Sequence, residues 1–187
     1  MALTLDEIET LLMTRGHAQY SGEPVTQLQH ALQAAQLAEA SDADDELVTA
    51  ALLHDLGHLL DEPAVDTPSL HGIDDLHQYK VVPFLRGLFP ERVLQAIAGH
   101  VDAKRWLCAE RPGYHDSLSE DSRRSLRLQG GIFAPEQAAA FIARPFAQDA
   151  VRLRLWDDLA KQVDLATPPL AHYLARARRC QLAMRAR

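Results

Sequence analysis

The chain has 187 residues, the length of one ordinary domain, and we predict a single domain over residues 1–187. Hydrophobic residues make up 47% of it, which is typical of a globular protein with a sizeable core. The net charge of −7 argues against nucleic acid and anionic membranes as partners, because both attract basic surfaces.

Three further features bear on where the protein works. The first ten residues are acidic and lack a long apolar core, so we expect no signal peptide. No apolar run approaches the ~18–20 residues that cross a bilayer. Cys108 and Cys180 lie far apart and outside any CxxC pattern. We therefore expect a cytoplasmic protein, since a reducing compartment is the simplest home for such cysteines.

Helix signals recur along the chain. Thr4 with Glu7 forms a capping-box pattern for a helix from Leu5 to about Thr14, which Gly16 stops. Caps and breakers predict further helices over about 25–40, 45–60, 74–88 (kinked or divided at Pro83), 90–110, from Ser119 or Asp121 to Gly130, 135–145, 147–163, and from Thr167 onwards. We predict loops over 20–24, 61–73 and 111–118. No stretch alternates with β-branched residues, so the sequence predicts an all-α fold.

The apolar run from Ala50 to Leu60 is the most informative stretch, because it carries His54, Asp55 and His58 in its middle. A dense apolar run predicts a buried helix, and a buried carboxylate is normally paired or bound to metal. On a continuous helix the two histidines would lie about 40° apart on one face. A metal site is favoured over a pair of structural histidines.

The other histidines fall into two groups. His17, His71, His115 and His172 lie in predicted loops or near helix starts, and we predict that they are solvated. His30, His77 and His100 each lie in a predicted helix. A metal site inside a helical bundle takes its ligands from different helices, although each lone histidine on its own could be structural.

These residues match a known family. His30, the pair His54-Asp55 and the late Asp157 resemble the H…HD…D signature of the HD-domain superfamily, whose members are mostly metal-dependent phosphohydrolases. His77 and His100 resemble the additional ligands of its binuclear branch. Longer stretches resemble the diiron oxygenases that cleave 2-amino-1-hydroxyethylphosphonate and its trimethylammonio relatives; they are residues 20–23, 27–30, 50–58, 99–105, 128–131 and 154–162.

The resemblance implies two iron ions in a mixed-valent Fe(II)/Fe(III) state. The implied ligands are His30, His54, Asp55 and Asp157 for one ion, and Asp55, His77 and His100 for the other. The implied phosphonate-binding residues are His58, Lys104, Ser122 and Arg154. Tyr20 and Glu23 would form a loop over the open side, with Glu23 meeting the substrate's amine; these two and His58 are the implied catalytic residues.

Helix spacing agrees with part of this assignment. Lys104 follows His100 by four residues, and Arg154 precedes Asp157 by three, so each cation shares a helix face with a ligand. A cation in that position can neutralise an anion bound at the metals.

The implied reaction is oxidative cleavage, with dioxygen, of the carbon–phosphorus bond of a 1-hydroxyphosphonate. The products would be phosphate and glycine or glycine betaine, depending on whether C2 carries an amine or a trimethylammonium group. The alternatives are an HD phosphohydrolase acting on a phosphate ester, a diiron oxygenase with another polyol or phosphonate substrate, and a non-enzymatic regulatory module. The sequence does not predict the oligomeric state.

Overall fold

A computed structural model describes residues 2–20, 22–60 and 68–183. Its α-helices are α1 (Leu5–Arg15), α2 (Gln27–Ala40), α3 (Asp45–Leu53), α4 (His77–Lys80), α5 (Val82–Leu85), α6 (Glu91–Glu110), α7 (Tyr114–Ser117), α8 (Glu120–Leu128), α9 (Pro135–Ile142), α10 (Ala147–Leu159) and α11 (Leu170–Arg179). Two short 3₁₀-helices span Leu56–Leu59 and Pro68–His71. The described residues contain isolated β-bridges and no named strand, which confirms the all-α prediction.

Side-chain caps set several of the helix boundaries. The Thr4 hydroxyl accepts from the Glu7 backbone and the Glu7 carboxylate accepts from the Thr4 backbone, so the predicted capping box is present. Thr26 caps α2 in the same way, which moves its start two residues beyond the prediction. Ser119, one of the two predicted candidates, caps α8. The remaining predicted helices are present with small shifts at their ends.

Helix α3 lies at the centre of the fold. Every residue from Leu47 to Leu53 is buried. The helix packs against α2, α6, α10 and α11, so its environment is apolar on nearly all sides. A second apolar cluster joins α6 to α7, α8, α9 and α10. The long helix α6 belongs to both clusters and connects them.

Two predictions about the chain path are wrong. The central helix does not continue to Leu60: α3 ends at Leu53, Asp55 has φ −102° and ψ 8°, and a 3₁₀-helix follows. His54 and His58 are therefore not neighbours on one continuous helix face. The predicted loop over 111–118 contains the short helix α7. Of the predicted loop over 61–73, residues 61–67 lie outside the described residues, as does Ser21 of the loop over 20–24.

The break after α3 has a packing reason. Gly57 lies so close to the start of α4 that an added Cβ would come within 2.1 Å of the His77 carbonyl oxygen. Only glycine allows the two backbones to approach this closely. The contact brings His77 beside the His54-Asp55 turn.

Along the described chain, none of the helices combines the length and apolar character that a bilayer-crossing segment requires.

Candidate metal centre

The four buried histidines named above as metal ligands are fixed through their Nδ1 atoms. His54 and His100 donate Nδ1–H to the carbonyl oxygens of Ala51 and Ile97, at 2.8 and 2.7 Å. The Nδ1 of His30 donates to the Ala160 carbonyl oxygen at 2.9 Å. His77 instead donates to a carboxylate oxygen of Asp75 at 2.9 Å. In each ring the proton is thus on Nδ1, which leaves Nε2 as the nitrogen that can bind a metal.

The first ligand set joins α2, the end of α3 and α10. The Nε2 atoms of His30 and His54 are 3.1 Å apart. Asp157 Oδ1 lies 3.4 Å from the His30 Nε2 and 3.8 Å from the His54 Nε2. All three side chains are buried, and their ligand atoms lie within 4.8 Å of one another. The arrangement suits a cation at their centre, since neighbouring ligands of one metal are commonly about 3 Å apart.

The second ligand set joins the turn after α3 with α4 and α6. The Nε2 atoms of His77 and His100 are 3.1 Å apart. Asp55 Oδ1 lies 3.3 Å from the first and 3.6 Å from the second. The other Asp55 oxygen, Oδ2, is 3.5 Å from the Nε2 of both His30 and His54. Asp55 therefore offers one oxygen to each set, as a bridging carboxylate does.

The donor set fits two metal ions. Asp55 Oδ1 is buried and makes no hydrogen bond with any described residue, and such an atom normally requires a partner. In both sets the histidine Nε2 atoms face each other with no proton between them to relieve the repulsion. Cations at the two centres would satisfy these groups at once. Imidazole and carboxylate ligands without thiolate suit iron, manganese or zinc.

The electrostatics of the site also favour positive charge. Burial alone would raise the pKa of Asp157, but the charge of Arg154, bound at 2.8 Å, holds it well below its usual range. Burial would likewise raise the pKa of Asp55, yet the surrounding histidines hold it well below its usual range. Both carboxylates thus stay charged inside the protein and attract cations.

All the side chains named above as substrate-binding line one cavity over the two ligand sets. They are Tyr20, Glu23, His58, Lys104, Ser122 and Arg154. Asp55, His77, His100 and Asp157 also reach this cavity. The structure therefore brings together every predicted site residue, with His30 and His54 behind the others and fully buried.

Two buried cations form one wall of the cavity. Lys104 is 2% exposed, and its Nζ donates to the Ser125 hydroxyl at 2.9 Å. Burial, with a smaller effect of Arg154, lowers the Lys104 pKa to about 7. Arg154 is 4% exposed and binds Asp157 at 2.8 Å. An anion in the cavity would stabilise the charged form of the lysine.

The predicted loop covers the first ligand set. The Tyr20 ring stacks on His30, with centroids 3.8 Å apart, and its hydroxyl lies 3.5 Å from Asp157 Oδ1. Burial and the charge of Asp157 raise the Tyr20 pKa well above its usual value. The Glu23 carboxylate is bound by Lys161 Nζ at 3.0 Å. Tyr20 therefore lies against the first ligand set, and Glu23 lines the same cavity.

Sequence reasoning missed several residues of the site. Asp75 binds His58 and His77, and Tyr114 and Asp158 bind Arg154. Lys161 and Ser125 also line the cavity. Asp75 lies two positions before the predicted ligand His77, and this proximity was the signal that could have identified it. Tyr114 lies in a segment predicted to be loop, and no signal marked it. The predicted solvated histidines, His17, His71, His115 and His172, are exposed or partly exposed.

Comparison with known proteins gives consistent matches. The HD domain model matches residues 27–161. Hydroxymethylphosphonate dioxygenase from Gimesia maris is 41% identical over 170 residues, 91% of this chain and 84% of that protein. The 1-hydroxy-2-(trimethylamino)ethylphosphonate dioxygenase (glycine-betaine-forming) of Leisingera caerulea is 38% identical over 160 residues, 85% and 81% of the two chains. An uncharacterized protein of Acanthamoeba polyphaga mimivirus is 32% identical over 160 residues, 84% and 73%.

Proposed function

Because this chain belongs to the HD-domain family, with phosphonate dioxygenases among its relatives, we propose that it is a diiron oxygenase that cleaves a carbon–phosphorus bond. The observation that carries the proposal is the pair of ligand sets that share Asp55 at the floor of a cavity with cationic walls. The substrate is a 1-hydroxyphosphonate, and the products are a carboxylate and phosphate. A C–P bond has no good hydrolytic route, so oxidation at C1 must accompany its cleavage.

The proposed cofactor is a pair of iron ions in the Fe(II)/Fe(III) state. His30, His54, Asp55 and Asp157 would hold one ion; Asp55, His77 and His100 would hold the other. When bound, such a pair supplies the capacity to activate dioxygen, which protein side chains lack. The choice of iron rests on the family.

Four side chains are proposed to bind the phosphonate group: His58, Lys104, Ser122 and Arg154. Arg154 directs three of its five N–H donors to described residues, namely Asp157, Asp158 and Tyr114, which leaves two for a ligand. Lys104 adds a full charge when protonated. These donors would fix the phosphonate so that C1 and its hydroxyl face the metals, and orientation of this kind contributes strongly to rate.

Tyr20 and Glu23 are proposed to act at the C2 side of the substrate. Tyr20 stacks on His30, and its hydroxyl lies 3.5 Å from Asp157 Oδ1. Substrate entry requires its hydroxyl to move away from Asp157, and the neighbouring Gly22, with φ 74°, allows the loop to turn there. The Glu23 carboxylate would then release Lys161 and bind an ammonium group on C2 of the substrate.

The substrate is proposed to be 2-amino- or 2-trimethylammonio-1-hydroxyethylphosphonate, which would give glycine or glycine betaine. The carboxylate of Glu23 favours a cation at C2, and Tyr20 offers an aromatic face to a quaternary ammonium group. The relative that acts on hydroxymethylphosphonate adds a third compound to test, because its substrate has no C2.

The test is release of phosphate from these three compounds by iron-loaded enzyme, with and without dioxygen. We expect phosphate, carboxylate and consumed dioxygen in equal amounts, and no turnover under anaerobic conditions. His100→Ala is a suitable negative control, because it removes a ligand of the second set. Anaerobic phosphate release, above all from a phosphate ester, would contradict the proposal and favour a phosphohydrolase.

A further inference from the structure

Asp75 binds two histidines of the site with one carboxylate. Its Oδ1 accepts from the Nδ1 of His77 at 2.9 Å, and its Oδ2 accepts from the Nδ1 of His58 at 2.7 Å. The side chain of Asp75 is only 15% exposed. The two imidazole rings stack with centroids 4.0 Å apart and an angle of 26° between their planes. The carboxylate thus fixes the position of both rings relative to each other.

His77 needs such a partner because of its place in the fold. His54 and His100 donate Nδ1–H to a carbonyl three residues earlier on the same helix. His77 is the first residue of α4 and follows Leu76, whose φ is 52°, so no helical carbonyl lies beneath its ring. The Asp75 carboxylate takes that role and accepts a stronger, charge-assisted hydrogen bond. Histidine ligands held by carboxylates in this way bind metals more tightly.

The second contact sets the orientation of His58. With Nδ1–H directed at Asp75, its Nε2 is left to face the cavity, 3.9 Å from Asp55 Oδ1. His58 is the ring proposed to meet the phosphonate group. One carboxylate therefore links a ring that binds metal to a ring that binds substrate.

We propose that Asp75 is a positioning residue, which fixes the metal-binding His77 and the phosphonate-binding His58 through its two oxygens. The role of His58 in this inference rests on the proposed function, whereas the role of His77 rests on the ligand geometry. Removing the carboxylate should loosen the second metal site and weaken phosphonate binding together.

The first experiment measures iron retention of the loaded full-length protein against increasing chelator. Asp75→Asn keeps the shape of the side chain but provides one acceptor oxygen for two N–H donors. We expect it to release one of its two irons at about 10–100-fold lower chelator concentration than wild type. Asp74→Asn is the matched control: Asp74 accepts a hydrogen bond from the Leu76 backbone at 3.3 Å and none from a histidine among the described residues, so this variant should retain both ions.

The second experiment is a double-mutant cycle in iron-saturated enzyme without dioxygen, with hydroxymethylphosphonate as the probe. Asp75→Asn should raise its Kd, and His58→Phe combined with Asp75→Asn should bind no more weakly than His58→Phe alone. Additive effects would show that Asp75 does not act through His58 and would overturn that half of the inference. Wild-type iron retention in Asp75→Asn would overturn the other half. If wild type released no phosphate from any hydroxyphosphonate, the proposed function would fail. The retention experiment would still test whether Asp75 positions His77 for iron binding.

Discussion

Replacement of Lys104 by methionine should make the protein more stable and less able to bind its substrate. Lys104 is 2% exposed, and burial, then the nearby Arg154, lower its pKa from 10.5 to about 7. Because each tenfold change in proton affinity corresponds to about 1.4 kcal/mol, the charged lysine costs the fold at most about 5 kcal/mol. Methionine fills a similar volume without a charge, so Lys104→Met should raise the free energy of unfolding.

The pH dependence of this gain follows from the lowered pKa. Below pH 7 the lysine is charged in both the folded and the unfolded state, and the full penalty applies. Between about pH 7 and 10.5 the folded protein loses the proton while the unfolded chain keeps it, so the penalty fades. Urea unfolding of the metal-free protein should therefore show the largest advantage of Lys104→Met at low pH, falling to about 2 kcal/mol at pH 9.

Substrate binding should change in the opposite direction. Because Lys104 is proposed to bind the phosphonate, its loss should raise the Kd at least about 30-fold, measured by calorimetry on iron-loaded protein without dioxygen. Lys161→Met is the contrasting control, because Lys161 is paired with Glu23 at 3.0 Å and its removal should bring no gain in stability. A Lys104→Met variant no more stable than wild type at pH 6, or one with unchanged phosphonate affinity, would refute the reasoning.

Three other outcomes can be measured directly. Removing the metals with a chelator should lower the Tm by about 10 °C, and iron should restore it, since ions that bind only the folded state stabilise it; a Tm indifferent to iron would contradict the two-ion site. Gly57→Ala should displace the His77 backbone and lower iron content, which metal analysis would reveal as fewer ions per chain. Arg154→Lys should lower the free energy of unfolding by about 1–3 kcal/mol, because a lysine cannot bind Asp157, Asp158 and Tyr114 together. Urea titration at neutral pH measures this change, and a smaller loss of stability would contradict the prediction.

Much of the fold could be predicted because its helix signals are local. The capping box at Thr4 and the cap at Ser119 mark helix starts through contacts within four residues. The segment after residue 74 is divided into α4 and α5, with the break at Val81 and the predicted breaker Pro83 in the first turn of α5. The HD-type ligands come from separate helices and follow no short sequence pattern, so they were identified by resemblance to the family. The structure places them together.

The end of α3 could not be predicted, because the apolar run from Leu52 to Leu60 looks the same whether it is one helix or two. The break depends on the approach of Gly57 to His77, a contact between segments 20 residues apart in numbering. Asp75 was missed for a related reason. Its role comes from bonding two rings that meet only in the folded chain, and no periodicity in the sequence marks such a residue.

The two ligand sets become complete at different points of chain synthesis. The set of Asp55, His77 and His100 is complete once α6 has been synthesised, whereas the set of His30, His54 and Asp157 must wait for α10. Residues from α10 are thus needed to complete the first ligand set, and the same helix packs against α3 and α6 in the centre of the fold. We therefore expect that deleting the chain from α10 onwards would abolish the first ligand set, although every ligand of the second set would remain in the sequence.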